Sequence, residues 1–286
     1  MEKSALGLGL VSSEMLKAIG IEDLGALKKV GSIAAFVAVK EANYKPTLNL
    51  LWALEGAITG CHWQQIARNS RVVKNSRNEL LWQLKIYEGQ RLLDRYLVKQ
   101  NKNEKPYIVL ISIGSNENAK QNISGLLKII ELFGSVEISP IYESASHQDF
   151  SLSYLNLVIK ISTFLSVTDV ISIFKKIEIL FGRKKNHRNK KVTLDIDVLT
   201  FDRFLGSIDG IHLVEKVPLI GEVQLPREKD LAQPYVLGPL AKLCPEMKHP
   251  IYLKNYRDLW GEYMNLHGNP LTEVSLENTF AQQRNS

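Results

Sequence analysis

The residues best suited to chemistry are Asp195 and Asp197, in the run Thr193-Leu-Asp195-Ile-Asp197-Val-Leu199. On an extended strand the side chains alternate faces, so Leu194, Ile196 and Val198 enter a core and the two carboxylates share the opposite face. They then stand roughly 6–7 Å apart along the strand. Two carboxylates at that separation can each reach a hard cation, and magnesium favours one or two carboxylates together with phosphate oxygens and water. A half-buried strand whose polar face is simply wet has the same pattern. Just upstream, Arg183-Lys-Lys-Asn-His-Arg-Asn-Lys-Lys191 carries six Lys or Arg in nine positions and no acid. Such a loop repels itself unless an anion sits against it; a solvated basic loop and a nucleic-acid contact are the other readings. Loop and strand together describe a metal-bound triphosphate clamped by cations on one side and magnesium on the other. Phosphoryl transfer requires that positioning and charge neutralisation.

The elements that must position these residues follow from periodicity. From residue 107 the apolar pattern gives a strand at Tyr107–Ile113 ending in the turn Gly114-Ser115-Asn116, then a helix from about Lys120 to Phe133. Strands follow at Val136–Tyr142 and Tyr154–Thr163, a helix at Val167–Phe181, and a strand at Val192–Phe201. The order β-α-β-β-α-β is that of a ferredoxin-like α/β sandwich, of α+β class. Residues 207–247 are mixed and contain several prolines. Before residue 98 the spacing is helical throughout, at Glu14–Ile19, Gly31–Ala42, Leu48–Thr59 and about Ser76–Leu97. The stretch 98–106 is polar, ends in Pro106 and reads as a linker. The expected organisation is therefore an all-helical unit at 1–97, a linker at 98–106, the sandwich at 107–265 and a polar, disordered tail at 266–286.

Composition narrows the function classes. The 286 residues are 45% hydrophobic and 23% charged, as in a globular chain. With only Cys61 and Cys244, a disulfide framework is excluded and a reducing, cytoplasmic setting is expected. Apolar runs such as Ile33–Val39 fall short of the ~20 residues of a membrane helix, and the first residues lack the apolar core of a secretory signal. The net charge of +6 resides in residues 1–103, with 15 Lys or Arg against 9 Asp or Glu; residues 104–286 hold 21 of each. A positive excess on a small helical unit suits a polyanion partner and is also common on plain soluble domains.

Taken together, six segments between Pro106 and Met247 resemble the 6-hydroxymethyl-7,8-dihydropterin pyrophosphokinase family. They are the strand and turn Tyr107–Asn116, Tyr142-Glu143-Ser144, Tyr154-Leu155-Asn156, Lys176-Ile177-Glu178 with Gly182-Arg183, Thr193–Asp197, and Pro234–Leu240 running on to Pro245. The resemblance implies transfer of pyrophosphate from ATP to the hydroxymethyl group of a reduced pterin. It implies that Asp195 and Asp197 hold a pair of magnesium ions, that Asn156 bonds the pterin edge, and that Tyr154 and Tyr235 bracket its ring. Lys175, Glu178 and Arg227 fall to ATP, and Arg183, Lys185 and Lys191 to the catalytic loop. Where the family carries Trp-Gly-Pro-Arg before Thr-Leu-Asp, this chain has Asn189-Lys-Lys-Val192, so an expected arginine is Val192 and the nearest cation is Lys191. A lysine offers a point charge rather than the planar fork of arginine. Pro226-Arg227 stands for the family's Pro-His, Gln233 for a later arginine, and Ala145-Ser-His-Gln148 for its Pro-x-Gly loop. The alternative is a diverged, non-catalytic fold serving regulation or DNA association.

Residues 5–66 resemble the C-terminal domain of the TfoX/Sxy competence-regulator family, through Leu6–Ile21 with Asp23-Leu24, the block Leu48–Ala57, and Gly60–Trp63. The hairpin around Gly20 could offer backbone N–H groups to a phosphate, or its short helices could dock a protein. Cys61 with His62 is too sparse for zinc, and Trp52 and Trp63 are expected in the core.

Overall fold

The computed structural model describes residues 8–68, 76–98, 100, 105–145, 153–183, 191–202, 204–208 and 222–276. The chain forms two compact units, residues 1–88 and 89–286.

In the first unit every described element is helical: α1 (Leu10–Lys17), α2 (Leu24–Val30), α3 (Ser32–Glu41), α4 (Leu48–Thr59), α5 (Trp63–Ala67) and the first turns of α6 (Arg77–Leu97). Their core includes Leu16, Leu27, Phe36, Leu51, Trp52, Leu54, Ile66 and Leu80. Each buried aliphatic side chain there contributes ~1.5–3 kcal/mol against exposure. Inside this core Glu55 is only 4% exposed, and Ser32 Oγ donates to its Oε2 at 2.6 Å. Gly56 allows α4 to meet the next turn, because a Cβ there would lie 2.7 Å from the carbonyl oxygen of Cys61. Trp52 is buried as expected; Trp63 is not, since it stands at the exposed start of α5, 38% accessible and stacked on His62.

The second unit begins within α6, ahead of the polar stretch 98–106. The physical reason lies in the last turns of that helix. Gly89 abuts Ile129, Leu93 is fully buried, and Lys176 Nζ donates to Tyr96 OH at 2.9 Å. Then come β1 (Tyr107–Ser115), α7 (Ala119–Ile130), β2 (Val136–Ile138), β3 (Ile141–Ala145), β4 (Ser153–Thr163), α8 (Val167–Leu180) and β5 (Asp195–Phe201). The remaining elements are β6 (Gly206–Ile208), β7 (Val223–Leu225), α9 (Glu228–Leu231), α10 (Pro234–Leu243), α11 (Tyr256–His267) and β8 (Thr272–Val274). The strand expected at Val136–Tyr142 is broken at Ser139-Pro140, where proline has no N–H to donate to a ladder; both fragments pair with β4.

The main sheet runs β5-β1-β4-β3-β8, all neighbours antiparallel, with β2 also on β4. Reading β2 and β3 as one broken strand, this is the sandwich order that the sequence suggested. α7 and α8 cover one face, against Ile111, Ile113, Leu157, Ile159 and Ile196. On the other face, Leu110, Val158 and Leu199 pack under Leu231, Val236, Leu237, Leu240 and Tyr256 from α9, α10 and α11. That cover ends before the sheet does, and the uncovered end carries Asp195 and Asp197.

The expected disordered tail requires correction. α11 continues to His267, Leu271 is buried, and Thr272–Val274 adds an edge strand to β3. The edge of β3 offered unpaired N–H and C=O groups, and β8 satisfies them. Residues 277–286 lie outside the described residues.

Candidate functional site

Strand register builds the site. Gly114 on β1 pairs with Asp195 on one side and Asn156 on the other, and Asn156 pairs in turn with Tyr142. Directly paired residues of an antiparallel sheet share a face, so one row carries carboxylate, glycine, amide and phenol across four strands. The adjoining rows add Asp197 opposite Ser112, and Tyr154 opposite Ser144. Gly114 keeps the row open: a Cβ there would sit 3.3 Å from Asn156 Oδ1. The first turn of α10 brings Tyr235 over this face. The resulting cleft of about 340 Å³ is lined by Asp195, Asp197, Asn156, Tyr154 and Tyr235, together with Gly114, Ser144 and Asp230.

Gly114 and Ser115, expected in a turn, instead end β1, and with Asn116 that end delivers β5 to its place. Asn116 Oδ1 accepts from Val192 N at 2.6 Å, and Asn116 N and Glu117 N donate to Val192 O at 2.9 and 3.0 Å. Ser115 Oγ donates to Thr193 O at 2.6 Å, and Asn122 Nδ2 to the same oxygen at 3.2 Å. Val192, which stands where an arginine was expected, is thus held by its backbone at the entrance to the strand.

Around the carboxylates the cations are paired with geometry that sequence separation concealed. Arg183 Nη2 lies 3.0 Å from Asp195 Oδ1, and its Nη1 donates to Leu194 O at 3.2 Å. Asp197 Oδ1 takes both Lys175 Nζ at 3.2 Å and Arg227 Nη2 at 3.0 Å. Lys175 also donates to Glu178 Oε1 at 2.7 Å and Ile196 O at 2.9 Å, while Ile196 N donates to Glu178 Oε1 at 2.6 Å. Glu178 therefore lies beneath the carboxylates and fixes strand β5, and it is not among the cleft-lining residues. Arg227 Nη1 bonds Asp230 Oδ2 at 2.9 Å.

The electrostatics separate the two aspartates. Burial, then the neighbouring Asp197 charge, raises the Asp195 pKa above its ordinary range despite Arg183. Asp197 is also partly desolvated, but Lys175 and Arg227 overcome that effect and hold it below the usual carboxylate range. Burial pushes Glu178 up to about 7, with Lys175 only partly offsetting it. Burial and nearby carboxylates keep the phenols of Tyr154 and Tyr235 protonated beyond their usual pKa.

Of the residues singled out from sequence, Asp195, Asp197, Tyr154, Asn156 and Tyr235 meet in one cleft, and Arg183, Lys175, Arg227 and Glu178 gather beside or beneath it. Lys191 is exposed and not among the cleft-lining residues. Lys185 lies outside the described residues. Gln233 donates through Nε2 to Lys229 O at 3.1 Å and does not line the cleft. Sequence reasoning missed Ser144, which accepts from Asn156 Nδ2 at 2.9 Å, and Asp230. The signals were present: Ser144 ends the Tyr-Glu-Ser segment, and Asp230 is three positions after Arg227.

Residues 110–245 match the family model described as 7,8-dihydro-6-hydroxymethylpterin-pyrophosphokinase, and residues 3–84 match the TfoX C-terminal domain. The chain is 28% identical over 149 residues to the 2-amino-4-hydroxy-6-hydroxymethyldihydropteridine pyrophosphokinase of Bacillus subtilis, covering 51% of this chain and 81% of that protein. It is 29% identical over 166 residues to the folic acid synthesis protein FOL1 of Dictyostelium discoideum, 56% of this chain. There the match spans only 23% of the relative's length. A Plasmodium falciparum HPPK-DHPS structure with pteroate has a TM-score of 0.49 at 14% identity, covering 63% of this chain and 50% of that one. The stretch that matches the pyrophosphokinase model thus coincides with the stretch that builds the cleft. No helix of the described residues is long and apolar enough to cross a membrane.

The carboxylate pair was tested as a metal site on its donor set. No group of three or more His, Cys, Asp or Glu that could hold a metal ion by itself occurs among the described residues. Two carboxylates on one sheet face, beside the cations Arg183, Lys175 and Arg227, fit magnesium carried by a polyphosphate, since that ion keeps few protein ligands.

Proposed function

We propose that the second unit is an ATP-dependent 6-hydroxymethyl-7,8-dihydropterin pyrophosphokinase. The supporting observation is the cleft in which Asp195 and Asp197 share a sheet face with Asn156, between Tyr154 and Tyr235. Asp195 and Asp197 would hold magnesium, read as two ions, and the metal would supply neutralisation of charge on the transferred group. Tyr154 and Tyr235, kept as neutral phenols, offer aromatic faces to a flat bicyclic ring. Asn156 directs its amide to the ring edge while Ser144 fixes its orientation. Arg183, Lys175 and Arg227 counter phosphate charge, with Lys185 and Lys191 supplied by the basic loop.

The pterin hydroxymethyl oxygen forms a bond to the β-phosphorus. The bond from that phosphorus to the α,β-bridging oxygen breaks, AMP leaves with the electron pair, and the hydroxyl proton passes to solvent. Glu178 is not in the cleft lining, so a general base from that side chain is not part of this reading. The test is AMP formation from ATP and the reduced pterin by the full chain, with Asp197→Asn as control. Equal rates in the two proteins would remove the proposal.

For the first unit, protein docking is favoured over DNA contact. Asp23 Oδ1 accepts from Ala26 N at 2.8 Å, so a carboxylate already occupies the N-terminus of α2, and Glu22 adds charge beside it. A phosphate at that turn would meet two acids. A mobility shift of short duplex DNA by the full chain at low salt would overturn this reading.

A further inference from the structure

We infer that Arg227 is a built-in competitor of the divalent cation at Asp197, so that metal enters the cleft only together with a polyphosphate. The inference rests on the reading of Asp195 and Asp197 as metal carboxylates. Two cations bind the same oxygen of Asp197, and their surroundings differ. Lys175 spends all three of its N–H donors, on Glu178, Ile196 O and Asp197, at 2.7, 2.9 and 3.2 Å. It is tied to the helix and to the strand backbone.

Arg227 is differently placed. Its fork reaches two carboxylates, Asp197 through Nη2 at 3.0 Å and Asp230 through Nη1 at 2.9 Å. If it releases Asp197 it keeps Asp230, which itself lines the cleft. Its Nε is buried without a hydrogen-bond partner, so the guanidinium is not fully satisfied where it stands. Three cations, Arg183, Lys175 and Arg227, already face the two aspartates. A divalent ion arriving alone adds positive charge to a cluster that is already compensated. A polyphosphate brings the missing negative charge and presents oxygens that a planar two-pronged donor can grip. Asp230 is then a positioning residue, which retains Arg227 at the cleft edge during the exchange.

The experiment is a titration of the full chain with Mn²⁺ alone, and then with Mn²⁺ plus a non-hydrolysable ATP analogue, both read by electron paramagnetic resonance of free Mn²⁺. Arg227→Gln should bind Mn²⁺ alone about tenfold more tightly than the parent protein, equivalent to ~1.4 kcal/mol, and should bind the analogue about tenfold more weakly. Arg227→Lys, which keeps the charge, should leave the affinity for Mn²⁺ alone near the parent value. Loss of affinity for both probes in Arg227→Gln would mean a merely structural role and would overturn the inference, as would unchanged Mn²⁺ affinity in that variant. Failure of the underlying reading has a different signature, in which Asp197→Asn takes up Mn²⁺ with the analogue as well as the parent does.

Discussion

The two units handle charge in opposite ways. The first, residues 1–88, carries 11 Lys or Arg against 8 Asp or Glu, yet the helix end that could have received a phosphate is occupied by Asp23. The second, residues 89–286, carries the same net charge, with 25 Lys or Arg against 22 Asp or Glu, yet it concentrates Arg183, Lys175 and Arg227 on two carboxylates at the uncovered end of a sheet face. Net charge therefore does not tell the two units apart. Anion chemistry follows from where charges are fixed and what already satisfies them, and among the described residues the second unit holds them around a cleft.

The sharpest way to break this contrast is Asp197→Asn, expected to lower pyrophosphate transfer about 10³-fold or more, because charge neutralisation is the main help that the protein can give a phosphoryl group. A smaller drop in AMP release, within tenfold, would deny the cluster its role. Arg183→Ala should follow at about 10²-fold in kcat, the loss typical of one donor to a developing anion; a pure KM effect would instead assign Arg183 to ground-state binding.

Stability against pH provides the next test. The Glu178 pKa of about 7 lies above the ordinary 4.5, so its contribution is complete below pH 4.5 and declines as pH rises through 7. Denaturant unfolding of Glu178→Gln should lose that slope, which amounts to about 3 kcal/mol across the window. An unchanged pH profile would show that the buried carboxylate titrates normally. Asn116→Ala should cost ~1–2 kcal/mol by leaving Val192 N without its 2.6 Å acceptor. In the first unit, Asp23→Ala should cost ~1 kcal/mol as a lost helix cap and leave AMP formation unchanged. A fall in activity there would link the units in a way that the contrast does not foresee.

Much of the second unit was legible because its signals are periodic. Leu194, Ile196 and Val198 are buried while Asp195 and Asp197 face the cleft, as strand alternation requires. The ring of cations was not legible. Lys175 on α8 meets Asp197 across 22 positions, and Arg227 reaches it from the turn before α9; such pairings depend on how elements pack, which carries no local pattern. The same limit explains Trp63 and β8. Burial of an aromatic and pairing of a short polar strand are decided by the neighbour, whether the adjacent turn leaves α5 exposed or β3 leaves an edge unpaired. The Gly114-Ser115-Asn116 segment was recognised as a motif, but its mechanical role appeared only with its bonds to Val192 and Thr193.

The most direct measurement is calorimetric titration of the full chain with a non-hydrolysable ATP analogue in saturating Mg²⁺, repeated with Asp197→Asn. The account predicts a binding isotherm for the parent protein and its loss in the variant. No heat from the parent, or indistinguishable isotherms from the two, would contradict it.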